Sequence, residues 1–121
     1  AARGGAWGVL KRLDVPGEIV LTKEKYCFGR SSKAEIHVDD QKLSKHHAEI
    51  SWNPADKKCR VVDKSTNHTF LKYPQENAAK CLPRDGKVIV PSGSIIYLVK
   101  PLNGGNDLFQ TTKPCFELTL L

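Results

Sequence analysis

Glycine, proline, asparagine, aspartate or serine interrupts this chain roughly every eight to twelve residues, and the apolar runs between them are short. An amphipathic helix needs about ten or more residues of 3.6-residue periodicity, which hardly any segment offers. The runs instead favour Val, Ile, Leu and aromatics, as strands do. Strands are predicted near 7–13, 18–22, 26–30, 36–38, 47–52, 58–63, 69–73, 79–82, 87–90, 94–99 and 115–121. Turns are predicted at Asp14–Gly17, Asn53–Lys57, Arg84–Gly86 and Pro91–Gly93, and a flexible loop at Asn103–Asp107. Alternation over 47–52 puts Ala48, Ile50 and Trp52 on one face. The pattern predicts an all-β fold, a twisted antiparallel β-sandwich of two sheets with about eleven strands. Residues 1–6 read as a flexible lead-in and 7–121 as one domain. If the first and last strands pair, the termini meet at one end and the loops at the other are free to carry function.

With 121 residues, the chain can bury a core without disulfide or metal staples. Its 40% hydrophobic and 26% charged residues are ordinary for a globular domain. No apolar run approaches the roughly 18 residues of a membrane span, and no signal-peptide pattern opens the sequence. The missing initiator methionine and the close on Phe116–Leu121 are what a domain cut from a longer protein looks like. Cys27, Cys59, Cys81 and Cys115 lie far apart with no metal-ligand spacing, so neither zinc nor another cofactor is expected. Cys27, Cys59 and Cys115 fall in strand-like segments and read as small buried residues of an intracellular protein. The formal net charge of +6 favours an anionic partner, which could be a nucleic acid or a phosphoprotein.

Three unusual polar clusters fall between strands: Gly29-Arg30-Ser31-Ser32, Lys42 to His47, and Ser65 to Thr69. A phosphate dianion needs charge-assisted donors from several directions. Arg30 offers a planar fork, Ser44 a hydroxyl and a backbone N–H, and Lys45 a mobile ammonium. Thr66 and Asn67 can hold an extended peptide backbone. Each residue also has an ordinary reading, as a solvated strand end, a turn residue or a surface lysine.

The order and spacing of Phe28-Gly29-Arg30, Ser44-Lys45-His46-His47 and Ser65-Thr66-Asn67-His68-Thr69 resemble the signature of the forkhead-associated (FHA) domain, and the resemblance runs over residues 7–121. It implies an FHA/SMAD-like sandwich that binds a phosphothreonine-containing protein. Arg30, Ser44 and Lys45 would lie near the phosphate, and Thr66 and Asn67 on the phosphothreonine and its neighbours. Lys42 would help choose the residue three positions after it. Gly29 and His47 would be structural supports, with the His47 imidazole bracing the binding loop. The family context implies a nuclear protein of DNA-damage or cell-cycle signalling. Two positions depart from the family pattern: His68 stands where a glycine is usual, and Lys72 where an asparagine is frequent. Histidine is among the non-glycine residues enriched at positive φ, so the turn can form, with His68 beside the phosphate.

Other function classes fit the residues less well. A Ser44–His47–Asp63 hydrolytic triad lacks a nucleophile elbow and an oxyanion loop, so no catalytic residue is expected. Nucleic-acid binding would want a stacking platform, but aromatics are 7% of the chain and fall mostly inside strands. A phosphate-independent FHA-like scaffold is the remaining alternative. The isolated domain is expected to be a monomer.

Overall fold

The computed structural model describes residues 5–100 and 114–121. The predicted loop at Asn103–Asp107 and the first four residues of the lead-in lie outside that range. Eleven strands are found among the described residues, each where the turn punctuation predicts one. They are β1 (Gly8–Arg12), β2 (Glu18–Leu21), β3 (Lys25–Gly29), β4 (Ile36–His37), β5 (Ala48–Asn53), β6 (Lys58–Asp63), β7 (Phe70–Lys72), β8 (Lys80–Cys81), β9 (Lys87–Ile89), β10 (Ile95–Tyr97) and β11 (Cys115–Leu120). They form two sheets, one ordered β2-β1-β11-β10-β7-β8 and the other β4-β3-β5-β6-β9. No helix among the described residues is long and apolar enough to cross a membrane.

Period-two alternation puts the core between the sheets. Leu10, Leu71, Ile96, Phe116 and Leu118 from one sheet meet Phe28, Ala48, Ile50, Cys59 and Val61 from the other. Phe28 and Phe116 touch edge to face across the gap, with centroids 5.3 Å apart. Each buries a side chain worth about 1.5–3 kcal/mol by area transfer. Trp52 joins this face as predicted and stacks on Trp7 at 5.2 Å, closing the end where β5 finishes. Packing begins one residue before Trp7, since Ala6 is already buried.

Two details differ from the sequence reading. The sandwich is antiparallel except at β3–β4, where Phe28 pairs with Ile36 and Gly29 with His37 in parallel. Residues 30–35 double back through a turn in which the Ala34 N–H donates to the Ser31 carbonyl (3.0 Å), so β4 sets out in the direction of β3. Cys27 is only half-buried, because it lies on the outer face between inward-pointing Tyr26 and Phe28. Cys59 and Cys115 are buried, and burial pushes their thiols up to about 12 and about 11, far from reactive at neutral pH.

Strands β1 and β11 are neighbours, with Gly8 opposite Leu120 and Arg12 opposite Phe116. The Gly8 and Leu120 ends therefore share one pole. At the other pole β3 and β6 end and β5 and β7 begin, and there the three polar clusters gather.

Candidate functional site

The site is built by backbone atoms before any side chain reaches outward. At the end of β3, Gly29 lies against the β4–β5 loop. A Cβ there would collide with the Lys45 carbonyl, whose carbon would be 2.8 Å away, so only glycine lets the two segments close. The next residues fasten the contact: the Arg30 N–H donates to the Ser44 carbonyl (3.0 Å) and the Ser31 N–H to the Lys45 carbonyl (3.3 Å). Arg30 Nε donates to the Leu43 carbonyl (3.1 Å). That bond restrains the guanidinium, whose two terminal amino groups have no bond among the described residues.

The β6–β7 loop, which crosses from one sheet to the other, is tied to the same place. The Thr66 N–H donates to Ser44 Oγ (3.0 Å), and Asn67 Nδ2 donates to the Lys42 carbonyl (3.0 Å). Arg30, Lys42, Ser44, Thr66 and Asn67 are thereby drawn into one surface. Because Ser44 Oγ accepts from Thr66, its own hydrogen remains to donate elsewhere. No salt bridge among the described residues involves Arg30, Lys42 or Lys45. Fixed donors and cations without an acidic partner among the described residues are the groups an anion receptor needs.

Beneath it lies His47, fully buried. Its Nδ1 accepts from the Ser44 N–H (3.1 Å), and its Nε2 meets the His68 carbonyl (3.1 Å). These partners require the neutral tautomer with hydrogen on Nε2. One imidazole therefore bonds to both loops. The Ser44 N–H is consumed here, so of the two donors expected from Ser44 only the hydroxyl is open. His68 adopts φ +74°, the left-handed turn expected for the residue in the usual glycine position, and its side chain is exposed.

The triad geometry is absent. His47 receives the amide of Ser44 rather than its hydroxyl, and Asp63 does not bond to His47. Asp63 has a different task that the sequence reading missed. Fully buried at the end of β6, its Oδ1 accepts from the Ser65 N–H (3.0 Å), Ser65 Oγ (2.5 Å) and Thr69 Oγ1 (2.8 Å). Both flanks of Thr66-Asn67-His68 are thus anchored to one carboxylate. An aspartate closing a strand with serine two residues on is an Asx-turn signal that could have pointed to it.

Burial holds the His47 pKa below its ordinary value, although the bond to the His68 carbonyl and the charge of Asp63 pull it upward. Below about pH 6.5 the unfolded chain takes up a proton at this position that the native state resists. Stability is therefore complete above that pH and is lost as pH falls through the window between the unfolded and the lower native pKa. Melting temperatures should decline from pH 7 towards pH 5, and the decline should be shallower in His47→Asn. Parallel profiles for the two proteins would show that His47 does not contribute.

The family profile described as FHA domain matches residues 26–99, from β3 to just beyond β10. The chain belongs to the FHA domain family. A probable serine/threonine-protein kinase, fhkE, of Dictyostelium discoideum is 30% identical over an alignment of 89 residues that covers 69% of this chain and 12% of that protein. The chain thus spans a small part of that relative. Among solved structures, the FHA domain of human APLF in complex with an XRCC1 bisphospho peptide superposes with TM-score 0.76 at 16% identity, covering 95% of this chain and 99% of that one. The N-terminal FHA domain of S. cerevisiae Rad53p, in complex with a phosphothreonine peptide, gives 0.73 at 15% identity, with 95% and 94% covered. Yeast Pml1p gives 0.73 at 20% identity, with 100% and 86% covered. These likenesses are of fold. In this FHA domain, the loops that carry Arg30, Ser44 and Asn67 all lie within the matched span.

Proposed function

We propose that this FHA domain binds a phosphothreonine-containing segment of a partner protein, and so joins two proteins once a kinase has acted. The observation that carries this reading is the cross-bonding of three loops into one donor surface, where Thr66 bonds to Ser44, Asn67 to Lys42 and Arg30 to Leu43. The Arg30 fork and the Ser44 hydroxyl would meet the phosphate, with Lys45 adding charge at the rim. Asn67 spends one amide hydrogen on Lys42 and keeps its carbonyl and second hydrogen for the peptide backbone. Thr66 lies beside it, and Lys42 would favour an acidic residue three positions after the phosphothreonine. His68 is exposed at the turn, where its ring can reach the ligand. The family membership and the phosphopeptide complexes of human APLF and Rad53p support the reading. We place the interaction in nuclear DNA-damage or cell-cycle signalling, the setting the family implies.

Matched peptides carrying phosphothreonine, phosphoserine or plain threonine test it by calorimetric titration. The two phosphorylated residues carry the same charge and differ by one methyl group. Burying that methyl between the Ser44 loop and Thr66–Asn67 is worth about 0.8 kcal/mol by transfer, and up to about 1–3 kcal/mol in a close-fitting pocket. Phosphothreonine should therefore bind about four- to 200-fold more tightly than phosphoserine. The unphosphorylated peptide should not bind measurably. Equal affinity for the two phosphopeptides would reduce the surface to a generic anion site. Binding of plain threonine would make the domain a phosphate-independent scaffold.

A further inference from the structure

A groove of about 360 Å³ opens beside the three loops on the outer face of the five-stranded sheet. Cys27 and Ala34 line it, and Ser31, Lys33 and Lys45 border it next to the phosphate surface. The groove and that surface share Lys45, whose carbonyl also holds the Ser31 N–H. They are therefore neighbouring parts of one recognition face.

Charge decides what the groove can hold. Glu35 and Glu49 also line it; Glu49 is paired with cations, while Glu35 keeps its charge and accepts a backbone N–H. Glu35 Oε1 accepts the Cys27 N–H (2.9 Å), while Glu49 Oε2 meets His46 Nε2 (2.8 Å) and Lys25 Nζ (3.6 Å). The ammonium groups of Lys33 and Lys45 have no acidic partner among the described residues. Ser31 Oγ accepts from the Lys33 N–H (3.1 Å), which leaves the hydroxyl hydrogen of Ser31 to donate outward. Two lysines and a hydroxyl donor thus line a recess that has the volume of a small ligand pocket, and with Lys25 its lysines outnumber its carboxylates three to two.

We propose that this groove is a second anion subsite. It receives an acidic or phosphorylated side chain of the same peptide, on the flank of the phosphothreonine that runs over the loop between β3 and β4. The proposal rests on the phosphothreonine reading for its anchor. It differs from the preference assigned to Lys42, which does not line the groove and is bonded instead to the β6–β7 loop.

The test scans one aspartate, and separately one phosphoserine, through three positions on each side of the phosphothreonine in an otherwise neutral peptide. Wild type, Lys33→Ala and Lys33→Glu are titrated. Apart from the third position after the phosphothreonine, where Lys42 is expected to act, the acid should raise affinity at one position by about two- to fivefold at low salt, in keeping with an exposed ion pair, and the phosphate should raise it more. Lys33→Ala should erase the gain and Lys33→Glu invert it, each gain being measured against the same variant's affinity for the parent peptide. No gain at any position other than that third one, or a gain elsewhere that survives Lys33→Ala, overturns the subsite. A parent peptide that binds equally with and without its phosphate signals instead that the phosphothreonine reading has failed. The groove is then read on its own by titrating free phosphoserine and following the backbone amide signals of Ser31, Lys33 and Ala34. Movement of those signals, lost in Lys33→Glu, supports the anion subsite, and their silence overturns it.

Discussion

Arg30→Ala should abolish phosphopeptide binding and leave the sandwich folded. Removing a charge-assisted contact to phosphate costs about 2–5 kcal/mol, which turns a micromolar complex into one too weak to measure. The fold loses little in comparison. Arg30 is exposed, and its one side-chain bond among the described residues is Nε to the Leu43 carbonyl, worth about 1 kcal/mol and partly replaced by water. Calorimetric titration beside a thermal melt separates the two effects. Arg30→Lys sharpens the result, because lysine keeps the charge but not the planar fork and should recover only part of the affinity. A variant that still binds, or one that fails to fold, would remove Arg30 from the site.

Asp63→Ala should have the opposite signature, with stability and binding lost together. The substitution strips the acceptor from two hydroxyls and one backbone N–H in a fully buried position. Unpaired buried donors of this kind destabilise by about 3–5 kcal/mol, a large share of the roughly 5–15 kcal/mol that holds a domain together. The melting temperature should fall by about 10–20 °C. At temperatures where the variant remains folded, the loop that carries Thr66 and Asn67 should be loose and the phosphopeptide weakly held. Asp63→Asn, which retains an acceptor oxygen, should lose less on both counts. Unchanged melting and affinity in Asp63→Ala would mean that the loop is organised by its bonds to Ser44 and Lys42 alone.

Much of this was legible in the residues because the deciding signals are local. Strand positions follow from short alternating runs and the turn residues between them, so Ala48, Ile50 and Trp52 fall on the face that alternation assigns them. The loop clusters follow from polar types placed between strands, and the left-handed turn at His68 follows from the glycine usual there in the family, which histidine can replace at positive φ. What escaped depends on juxtaposition. The parallel β3–β4 pair is set by how residues 30–35 double back, which no period reveals. The Ser44 N–H looked available because His47 could be placed near the loop but not oriented within it. Asp63 looked like an ordinary strand end until Ser65 and Thr69 folded onto the same oxygen. Cys27 looked interior because its neighbours are, although in a strand neighbours face opposite ways.

The pairing of β1 with β11 gives the domain a mechanical character. Gly8 and Leu120 sit opposite each other at the pole away from the loops, and the Leu121 N–H donates to the Trp7 carbonyl (3.1 Å) beside them. The hydrogen bonds between antiparallel strands run across the strands. Tension that pulls these two ends apart would load those bonds one after another, as a zipper opens, and should part the strands at low force. Tension between a bound peptide and either end runs along the strands instead and shares the load among many bonds at once. The domain should therefore hold firmly when it links a ligand to one end of its chain, and yield readily when stretched between its own two ends.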